Sequence, residues 1–453
     1  MDMTGDLSRH LEAVSYEKLP GELVETTKKF IMDTIGVGLA GINAPGCEEM
    51  TAILAGHGGR QEAAVIGKGI KLPSPAAAFL NSLYCHALDF DDTFDDSAMH
   101  CYVNVLPPAM ALAEAERGVH GREFIAAIAA GVDLCARLGA AITTPLSWIR
   151  TATCGSFAAA ASAAKVLKLD DEGIQNALGI VYSQTAGNAQ ALIDGGLTKR
   201  MQPAFSTRAG VLSALMARKG ITGAQEVFEG RYGFYNLYER GEYVRENVYK
   251  GLGKDFYGMR LSIKPYPSCR MTHSSIDAAL KAKEKHGFSF EEIEKVEVRV
   301  SKMCREMVGE PFKVRENPQV DAQFSIPYTV GVALKYGEPF IHDFDEQAVR
   351  ERERIDAAGK VDVFADEKIE VRDLKPAAIK VVLKNGKILQ ERAEYPKGHP
   401  QNPMSWDDCI TKFKKCVSRC EKEYRPEKIN EMIEFIMNIE KFEDVGACIG
   451  VLF

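Results

Sequence analysis

The chain has 453 residues, 46% of them hydrophobic, which is enough for two or three domains and a large core. Its net charge of -7 argues against a nucleic-acid-binding surface and means that an anionic ligand needs a locally basic pocket. The polar, acidic first residues do not resemble a signal peptide, and the most apolar stretches are too short and too broken to cross a bilayer. The 11 cysteines are scattered without a C-x-x-C motif, so we expect a reduced, cytoplasmic protein without a membrane or nucleic-acid partner.

Helical spacing of apolar residues dominates the first part of the chain. The segment LVETTKKFIMDTIGVGLAG, residues 23–41, repeats apolar residues every three or four positions and ends at glycine. Alanine-rich segments of the same kind recur between residues 74 and 230, where small side chains let helices approach closely. The pattern predicts an all-helical domain over residues 1–267.

Strand signals are concentrated in residues 268–402. EKVEVRVS (294–301) alternates apolar and polar residues, and EKIEVRD (367–373) is predicted as a second strand. Asn385-Gly386 lies between two further alternating runs, which indicates a hairpin. We therefore predict a smaller α+β domain here, followed by helices over 403–453 that return to the first domain. The fold class is mainly α, with a large discontinuous helical domain.

One acidic stretch, from His86 to Glu114, carries the strongest chemical signal. Between His86 and Arg117 there is no lysine or arginine to balance its carboxylates. Carboxylates beside two histidines, between buried helices, should have shifted pKa values. A solvated acidic loop is the alternative, and spacing does not separate the two. The stretch contains His86, Asp89, Asp91, Asp92, Thr93, Asp95, Asp96 and His100.

Two later segments add groups of complementary chemistry. Lys199 and Arg200 stand just before a helix, at the end that the helix dipole makes unfavourable for cations, which favours anion binding over an ordinary basic turn. His273 and Asp277 are four residues apart on a helix that follows a proline bend, so they share a face and can form a pair. Tyr328 lies near the start of another helix.

These groups together suit proton removal next to a carboxylate. The reaction develops extra negative charge on that carboxylate, which Lys199 and Arg200 can stabilise. Histidine is the default proton carrier near neutral pH. We therefore predict that His100 and His273 move protons.

The same motifs resemble the MmgE/PrpD family, which includes 2-methylcitrate dehydratase, cis-aconitate decarboxylase and iminodisuccinate epimerase. The resemblance begins at HALDFDDT and the apolar LPPAMALAE segment after His100. It continues, in the same order along the chain, through TKRMQPAFSTRAG, IKPYPSCRMTHSSIDAA, DAQFSIPYTVGVAL and GHPQNPMS. Collinear segments over nearly the whole chain make it specific.

The resemblance implies a metal-free, cofactor-free homodimer whose smaller domain is a lid, with the active site between the domains. It implies that Asp89 orients a histidine, that Thr93 and Tyr328 hydrogen-bond the substrate, and that His86 also binds it. The implied catalytic residues are Asp89, Thr93, His100, Lys199, His273 and Tyr328, and the implied substrate-binding residues are Lys199, Arg200 and His86.

Among the family's activities we expect a lyase that dehydrates a 2-methylcitrate-like hydroxy acid, because dehydration is the commonest named activity of the family. Decarboxylation of the cis-aconitate type and epimerisation of the iminodisuccinate type are the alternatives. Two departures from the family pattern bear on the substrate: Cys101-Tyr102 replaces a usual proline after His100, and no histidine is found near Ile149-Arg150.

Three more distant interpretations carry less weight. Asp91, Asp92 and Asp95 fit the D-D-x-x-D motif of Mg²⁺-dependent isoprenoid synthases, but no second acidic motif accompanies them. An aconitase-like iron–sulfur site is disfavoured because the cysteines lack ligand spacing. An inactive scaffold is disfavoured because all the family's active-site residues are retained.

Overall fold

Helices form most of this protein, as the sequence predicts. The computed structural model describes residues 2–452 and is 57% helical and 9% strand. The chain divides into two compact units, unit 1 (Met1–Leu261 with Ser405–Phe453) and unit 2 (Ser262–Met404). The mainly α fold class is therefore confirmed, while the role of the smaller unit as a lid stays a prediction.

The first part of unit 1 is a stack of helices interrupted by one short hairpin. The hairpin strands are β1 (Ala63–Val65) and β2 (Ile70–Leu72), which pair antiparallel. The helices are α1 (Met3–Ala13), α2 (Gly21–Gly41), α3 (Cys47–Gly56), α4 (Ser74–His86), α5 (Tyr102–Glu116), α6 (Gly121–Ala141), α7 (Arg150–Val166), α8 (Asp171–Tyr182), α9 (Gln190–Ile193), α10 (Thr198–Arg218), α11 (Phe234–Tyr238) and α12 (Arg245–Tyr249).

Helix α6 explains the most apolar part of the sequence. It is long and apolar enough to cross a membrane by length and composition, but 94% of its most apolar window is buried within the protein. A helix that is apolar on all sides is expected in the centre of a large helical core. Its composition therefore follows from its packing among the helices of unit 1.

Small residues let α7 and α10 approach each other closely. A Cβ placed on Gly210 would lie 2.5 Å from the Cβ of Ala159 and 2.7 Å from its backbone carbon. Any side chain at this point would have to push the two helices apart. The alanine-rich and glycine-rich composition of this region is therefore a packing requirement.

Unit 2 packs helices against a four-stranded sheet. The helices are α13 (Arg270–His286), α14 (Lys302–Val308), α15 (Pro318–Gln323), α16 (Ile326–Tyr336), α17 (Glu346–Val349) and α18 (Arg352–Ala358). The strands are β3 (Ile293–Val300), β4 (Val361–Ala365), β5 (Ala377–Leu383) and β6 (Ile388–Ala393). They lie in the order β4-β3-β5-β6, with β3 and β4 parallel and the other pairs antiparallel.

The hairpin at Asn385-Gly386 is confirmed, because β5 and β6 pair across it and Gly386 has a φ of 83°. The predicted strand EKIEVRD is wrong. The second strand along this part of the chain is Val361–Ala365, which pairs in parallel with β3, and residues 366–376 form turns and irregular structure. Ile369 and Val371 are the apolar residues of the alternating pattern, but Val371 is 53% exposed, so the pattern does not reflect a buried sheet face.

The last helices belong to unit 1 and are α19 (Trp406–Val417), α20 (Pro426–Met437) and α21 (Val445–Leu452). Helix α19 lies directly on α2, because Gly36 leaves room for the side chain and backbone of Phe413. Contacts more than 370 residues apart in sequence thus complete the helical core.

Candidate active site

The acidic stretch forms a buried loop between α4 and α5. His86 is the last residue of α4, and the loop runs from residue 87 to residue 101. Asp89 has a left-handed φ of 53°, a conformation that aspartate tolerates better than most residues. The loop carries Thr93, which is 4% exposed. Asp89, Asp91 and Asp92 are buried as well, while Asp96 is exposed, so the first part of the stretch is not a solvated loop.

The carboxylate of Asp91 lies close to the rings of two histidines, His86 and His100. Its Oδ2 accepts a hydrogen bond from Nδ1 of His86 at 2.8 Å and lies 3.0 Å from Nδ1 of His100, which is outside hydrogen-bonding angle. The two imidazole rings meet edge to face at 4.8 Å. An ionised carboxylate only accepts, so we assign the hydrogen on His86 to Nδ1. Asp91 thereby orients one ring directly and lies ready to stabilise positive charge on the other.

In this trio, burial decides the charge of His86, and the neighbouring histidines decide that of Asp91. Burial lowers the pKa of His86 to about 4, although the nearby Asp91 favours its charged form. Burial alone would raise the pKa of Asp91, but His100 and His86 hold it well below its usual range. At neutral pH the carboxylate is therefore ionised and His86 is neutral, and the predicted shifts of pKa in this stretch are confirmed.

His100 is the histidine of the trio that solvent reaches, with 14% of its side chain exposed against 2% for His86. Its backbone N–H donates to the hydroxyl of Thr151 at 3.2 Å, and its carbonyl accepts from Asn104 at 3.2 Å. Within residues 2–452 no hydrogen bond forms to its Nε2 atom. This nitrogen is therefore the part of the trio that can exchange a proton with a bound molecule.

Asp92 has a structural task next to the trio. Its two carboxylate oxygens accept the backbone N–H groups of Cys101 at 2.8 Å and Tyr102 at 3.0 Å, where α5 begins. These amides have no partner inside the helix, and a carboxylate there also favours the helix dipole. Burial and the neighbouring Asp91 nevertheless raise the pKa of Asp92 to about 7. The helix start thus fixes the end of the loop that carries His100.

Lys199 brings a cation to the same place. Its Nζ lies 3.3 Å from Oδ1 of Asp89 and 3.5 Å from Nε2 of His86, and a quarter of its side chain is exposed. The guanidinium of Arg200 is mostly buried and donates to the carbonyl of Pro45 at 3.3 Å. The structure therefore brings Lys199 into contact with the acidic loop, whereas Arg200 is anchored on the chain before α3.

The trio can be compared with a metal centre, since the ligand atoms of His86, Asp91 and His100 lie within 4.8 Å of one another. A divalent ion there would displace the hydrogen bond of His86 and lie close to the ammonium of Lys199. The donor set therefore suits protons better than a metal ion, and independence of metal stays a prediction. The D-D-x-x-D interpretation does not fit, because Asp91 and Asp92 are buried, lie off any helix and have separate partners.

His273 and Asp277 lie on α13 in unit 2 but do not pair with each other. Asp277 accepts the hydroxyl of Tyr266 and the backbone N–H of Lys397, both at 2.6 Å. The Nε2 of His273 lies 3.2 Å from the carbonyl of Ser268. The predicted pair is wrong because the proline bend and a distant loop supply Asp277 with its partners.

Tyr328 is also in unit 2, on α16, and is fully buried in a cluster with Phe312 and Phe344. Its hydroxyl donates to the carbonyl of Asp343, and burial raises its pKa above the usual range. In this structure the hydroxyl of Tyr328 is hydrogen-bonded to a backbone carbonyl. A role of Tyr328 or of His273 in binding or catalysis stays a prediction.

The residues at the two departures from the family pattern have defined contacts. The N–H of Cys101 is part of the helix start that Asp92 holds. Arg150 points its guanidinium at the carbonyls of Ser97, at 3.3 Å, and Thr144, at 2.6 Å. Both residues therefore support the loop that carries His100.

The comparison with known proteins agrees with the order of these motifs. The sequence model of the MmgE/PrpD N-terminal domain matches residues 5–247, and that of the MmgE/PrpD C-terminal domain matches residues 266–436. The chain belongs to the MmgE/PrpD family. The two matches together cover most of the chain, including the acidic loop, Lys199 and the helix of His273.

Named relatives are similar over most or nearly all of the chain. A cis-aconitate decarboxylase of Aspergillus terreus is 25% identical over 99% of this chain and 96% of its own length. A cis-aconitate decarboxylase of Homo sapiens is 24% identical over 99% of this chain and 94% of its own length. A 2-methylcitrate dehydratase of Cupriavidus necator is 25% identical over 85% of this chain and 83% of its own length.

Proposed function

We propose that this protein is a lyase that acts on a di- or tricarboxylic acid by proton transfer at Nε2 of His100. The observation that carries the proposal is the arrangement of His100 against the buried carboxylate of Asp91, with the other nitrogen of His100 open and Lys199 of α10 in contact with Asp89 of the same loop. Asp91 stabilises the imidazolium that forms when His100 takes a proton. The named relatives are enzymes that act on acids of this class.

Lys199 is our candidate for holding a substrate carboxylate. Its ammonium is partly exposed beside the loop, so an anionic substrate can share it with Asp89. His86 is 2% exposed and bonded on both sides, which favours a role in orienting Asp91 and Lys199 over direct contact with substrate. Arg200 adds positive charge from further away, while Thr93 remains our candidate hydrogen-bond donor.

Decarboxylation of a cis-aconitate-like acid is our first candidate reaction. The relatives named for it match over 98–100% of this chain, whereas those named 2-methylcitrate dehydratase match over 76–85%. In this reaction the bond to one carboxylate breaks, carbon dioxide leaves, and the electron pair moves into the conjugated system. Lys199 stabilises the charge on a remaining carboxylate, and protonated His100 delivers a proton to carbon.

Dehydration, which the sequence analysis favoured, is the second candidate, because relatives with that name also match. Here His100 removes the proton next to a carboxylate, and the hydroxyl leaves as water after protonation by a second acid. His273 is our candidate for this acid. The two reactions differ in their products, so one assay separates them.

The test incubates the full-length protein with cis-aconitate, citrate, 2-methylcitrate and iminodisuccinate in deuterated water, with and without a chelator. We expect turnover that the chelator does not affect, with one deuterium placed on carbon where His100 delivers it. Proton and carbon NMR of the products identifies the reaction. If the protein shows no turnover and no deuterium exchange with any of these acids, the proposal is wrong.

The residue at the centre of the proposal has a matched control. We expect His100→Asn to lower kcat by about 10²- to 10⁴-fold, because the asparagine amide cannot act as a general acid or a general base at neutral pH. The control is His57→Asn, since His57 is exposed just after α3. Steady-state rates and thermal unfolding should be measured on both variants. Equal activity of His100→Asn and the control would exclude His100 as the proton carrier.

A further inference from the structure

A buried lysine from the C-terminal part of the chain contacts the acidic loop. Nζ of Lys412, on α19, donates to the carbonyl oxygen of Phe90 at 3.0 Å and lies 3.7 Å from the centre of the Phe90 ring. The side chain of Lys412 is 5% exposed. The same ammonium therefore holds both the backbone and the ring of one loop residue.

Asp33 on α2 neutralises this lysine. Its Oδ1 lies 2.5 Å from Nζ of Lys412, and its side chain is 1% exposed. A buried charge is costly unless an opposite charge and hydrogen bonds accompany it, so the pair must form where α19 lies on α2. The close packing of Phe413 on Gly36 fixes this contact between the helices.

Phe90 stands between Asp89 and Asp91, the two acids of the loop that contact Lys199 and the histidines. Its carbonyl belongs to the rigid peptide plane that leads into Asp91. A donor that fixes this carbonyl therefore restricts where the Asp91 side chain begins. Phe90 is itself fully buried, so the plane has little freedom to turn.

We propose that Lys412 is a positioning residue, which holds the Phe90 peptide so that Asp91 meets His86 and His100 in the geometry needed for proton transfer. The inference rests on the proposed function for its catalytic consequence, although the geometry is independent of the substrate. Lys412 does not touch the histidines. It acts through the backbone of the loop.

The experiment compares a double variant, in which both charged residues of the Lys412–Asp33 pair are replaced by neutral ones, with a control variant of another buried lysine. Lys412→Met alone would remove the cation that the buried Asp33 carboxylate contacts, so the test variant combines Lys412→Met with Asp33→Asn. The control is Lys28→Met, because Lys28 is 4% exposed, lies on α2 and donates to the carbonyl of Met437 at 2.9 Å. It has the same kind of anchor, away from the acidic loop.

We expect the double variant to lower kcat about 10- to 100-fold with an unchanged KM, because the proton carrier loses its alignment while Lys199 stays in place. Lys28→Met should keep the wild-type kcat, even if its melting temperature falls as far as that of the double variant. A second readout needs no substrate: the low-field proton resonance of His86 Nδ1–H, assigned by its loss in His86→Asn. It should move or broaden in the double variant alone.

An unchanged His86 resonance in the folded double variant would overturn the inference, whatever happens to the rate. An equal loss of kcat in Lys28→Met would also overturn it, since the effect would then follow general destabilisation. If the wild-type protein turns over none of the acids, the proposed function fails, and the resonance still decides whether Lys412 positions Asp91.

Discussion

Asp91 is the residue on which the candidate site depends. One buried carboxylate oxygen accepts a hydrogen bond from His86 and lies 3.0 Å from Nδ1 of His100. It therefore orients the ring of His86 and can stabilise a positive charge on His100. Its neighbour Asp92 has the same chemical group in a different role, because its oxygens face the start of α5. Adjacent carboxylates are thus separated in function by the direction in which each side chain points.

A first prediction concerns Asp92 and pH. Its pKa is raised by burial and by Asp91 to about 7, above the ordinary value of 3.8. The folded state therefore binds a proton that the unfolded state releases at lower pH, and the stabilisation is lost as pH rises through about 7. Relative to Asp92→Asn, the wild-type free energy of unfolding should fall by about 1.4 kcal/mol per pH unit between roughly pH 5 and pH 7.

Urea unfolding of both proteins from pH 5 to pH 8 provides the measurement. The comparison removes other titrating groups, among them His86, whose lowered pKa acts with the opposite sign because its stabilisation is lost as pH falls towards 4. A difference between wild type and Asp92→Asn that stays constant with pH would show that Asp92 is ionised throughout.

At the scale of elements, close helix packing explains the sequence better than helix propensity does. Glycine inside a helix is unfavourable by about 1 kcal/mol relative to alanine. Gly210 is nevertheless found in the middle of α10, where α7 leaves no room for a Cβ. The cost of the glycine is offset by the contact it permits.

A second prediction follows for this contact. We expect Gly210→Ala to destabilise the protein by about 1–3 kcal/mol, because the new methyl group meets the backbone of Ala159, which cannot move aside easily. The control is Gly56→Ala at the end of α3, where a Cβ meets nothing within 4 Å and stability should stay equal or rise slightly. Thermal unfolding decides, and a loss of equal size in both variants would exclude the packing explanation.

At the scale of the whole molecule, α10 and residues 193–197 before it expose several large apolar side chains. Exposed apolar side chains that lie together are typical of a surface that another protein covers. The residues are Ile193 (75% exposed), Leu197 (42%), Phe205 (44%), Leu212 (38%) and Met216 (38%). We propose that the homodimer implied by the family resemblance forms through this face.

The third prediction tests that face. The wild-type protein should sediment at twice the 49.8 kDa of the chain, and Leu212→Lys with Met216→Lys should shift it towards the monomer, because buried charges disfavour the interface. Ile388→Lys is the control, since Ile388 is 55% exposed on β6. A wild-type mass of one chain at every concentration would exclude the homodimer, and a dimer that survives both lysines would place the interface elsewhere.

The sequence by itself determined what local interactions and motif order can determine. The three-and-four spacing of residues 23–41 predicted α2, and the turn preference of Asn385-Gly386 predicted the β5–β6 hairpin, because both depend on neighbouring residues. Collinear motifs identified the family and pointed to the loop that begins after His86. The strand predicted at EKIEVRD failed because alternation alone does not show whether a neighbouring strand is present.

Only the tertiary structure decided which side chains meet. The seven acids and histidines between residues 86 and 100 offer many pairings, and the helix start at Cys101 and the packing around Asp91 select one of them. Tertiary packing also decides the partner of Asp277, which accepts a hydrogen bond from the hydroxyl of Tyr266 and does not pair with His273, because a bend of the chain places Tyr266 nearby. Lys412 reaches Phe90 from 322 residues away, and no local pattern encodes that distance. Pairing of buried polar groups is set by the packing of the whole chain, which sequence periodicity does not contain.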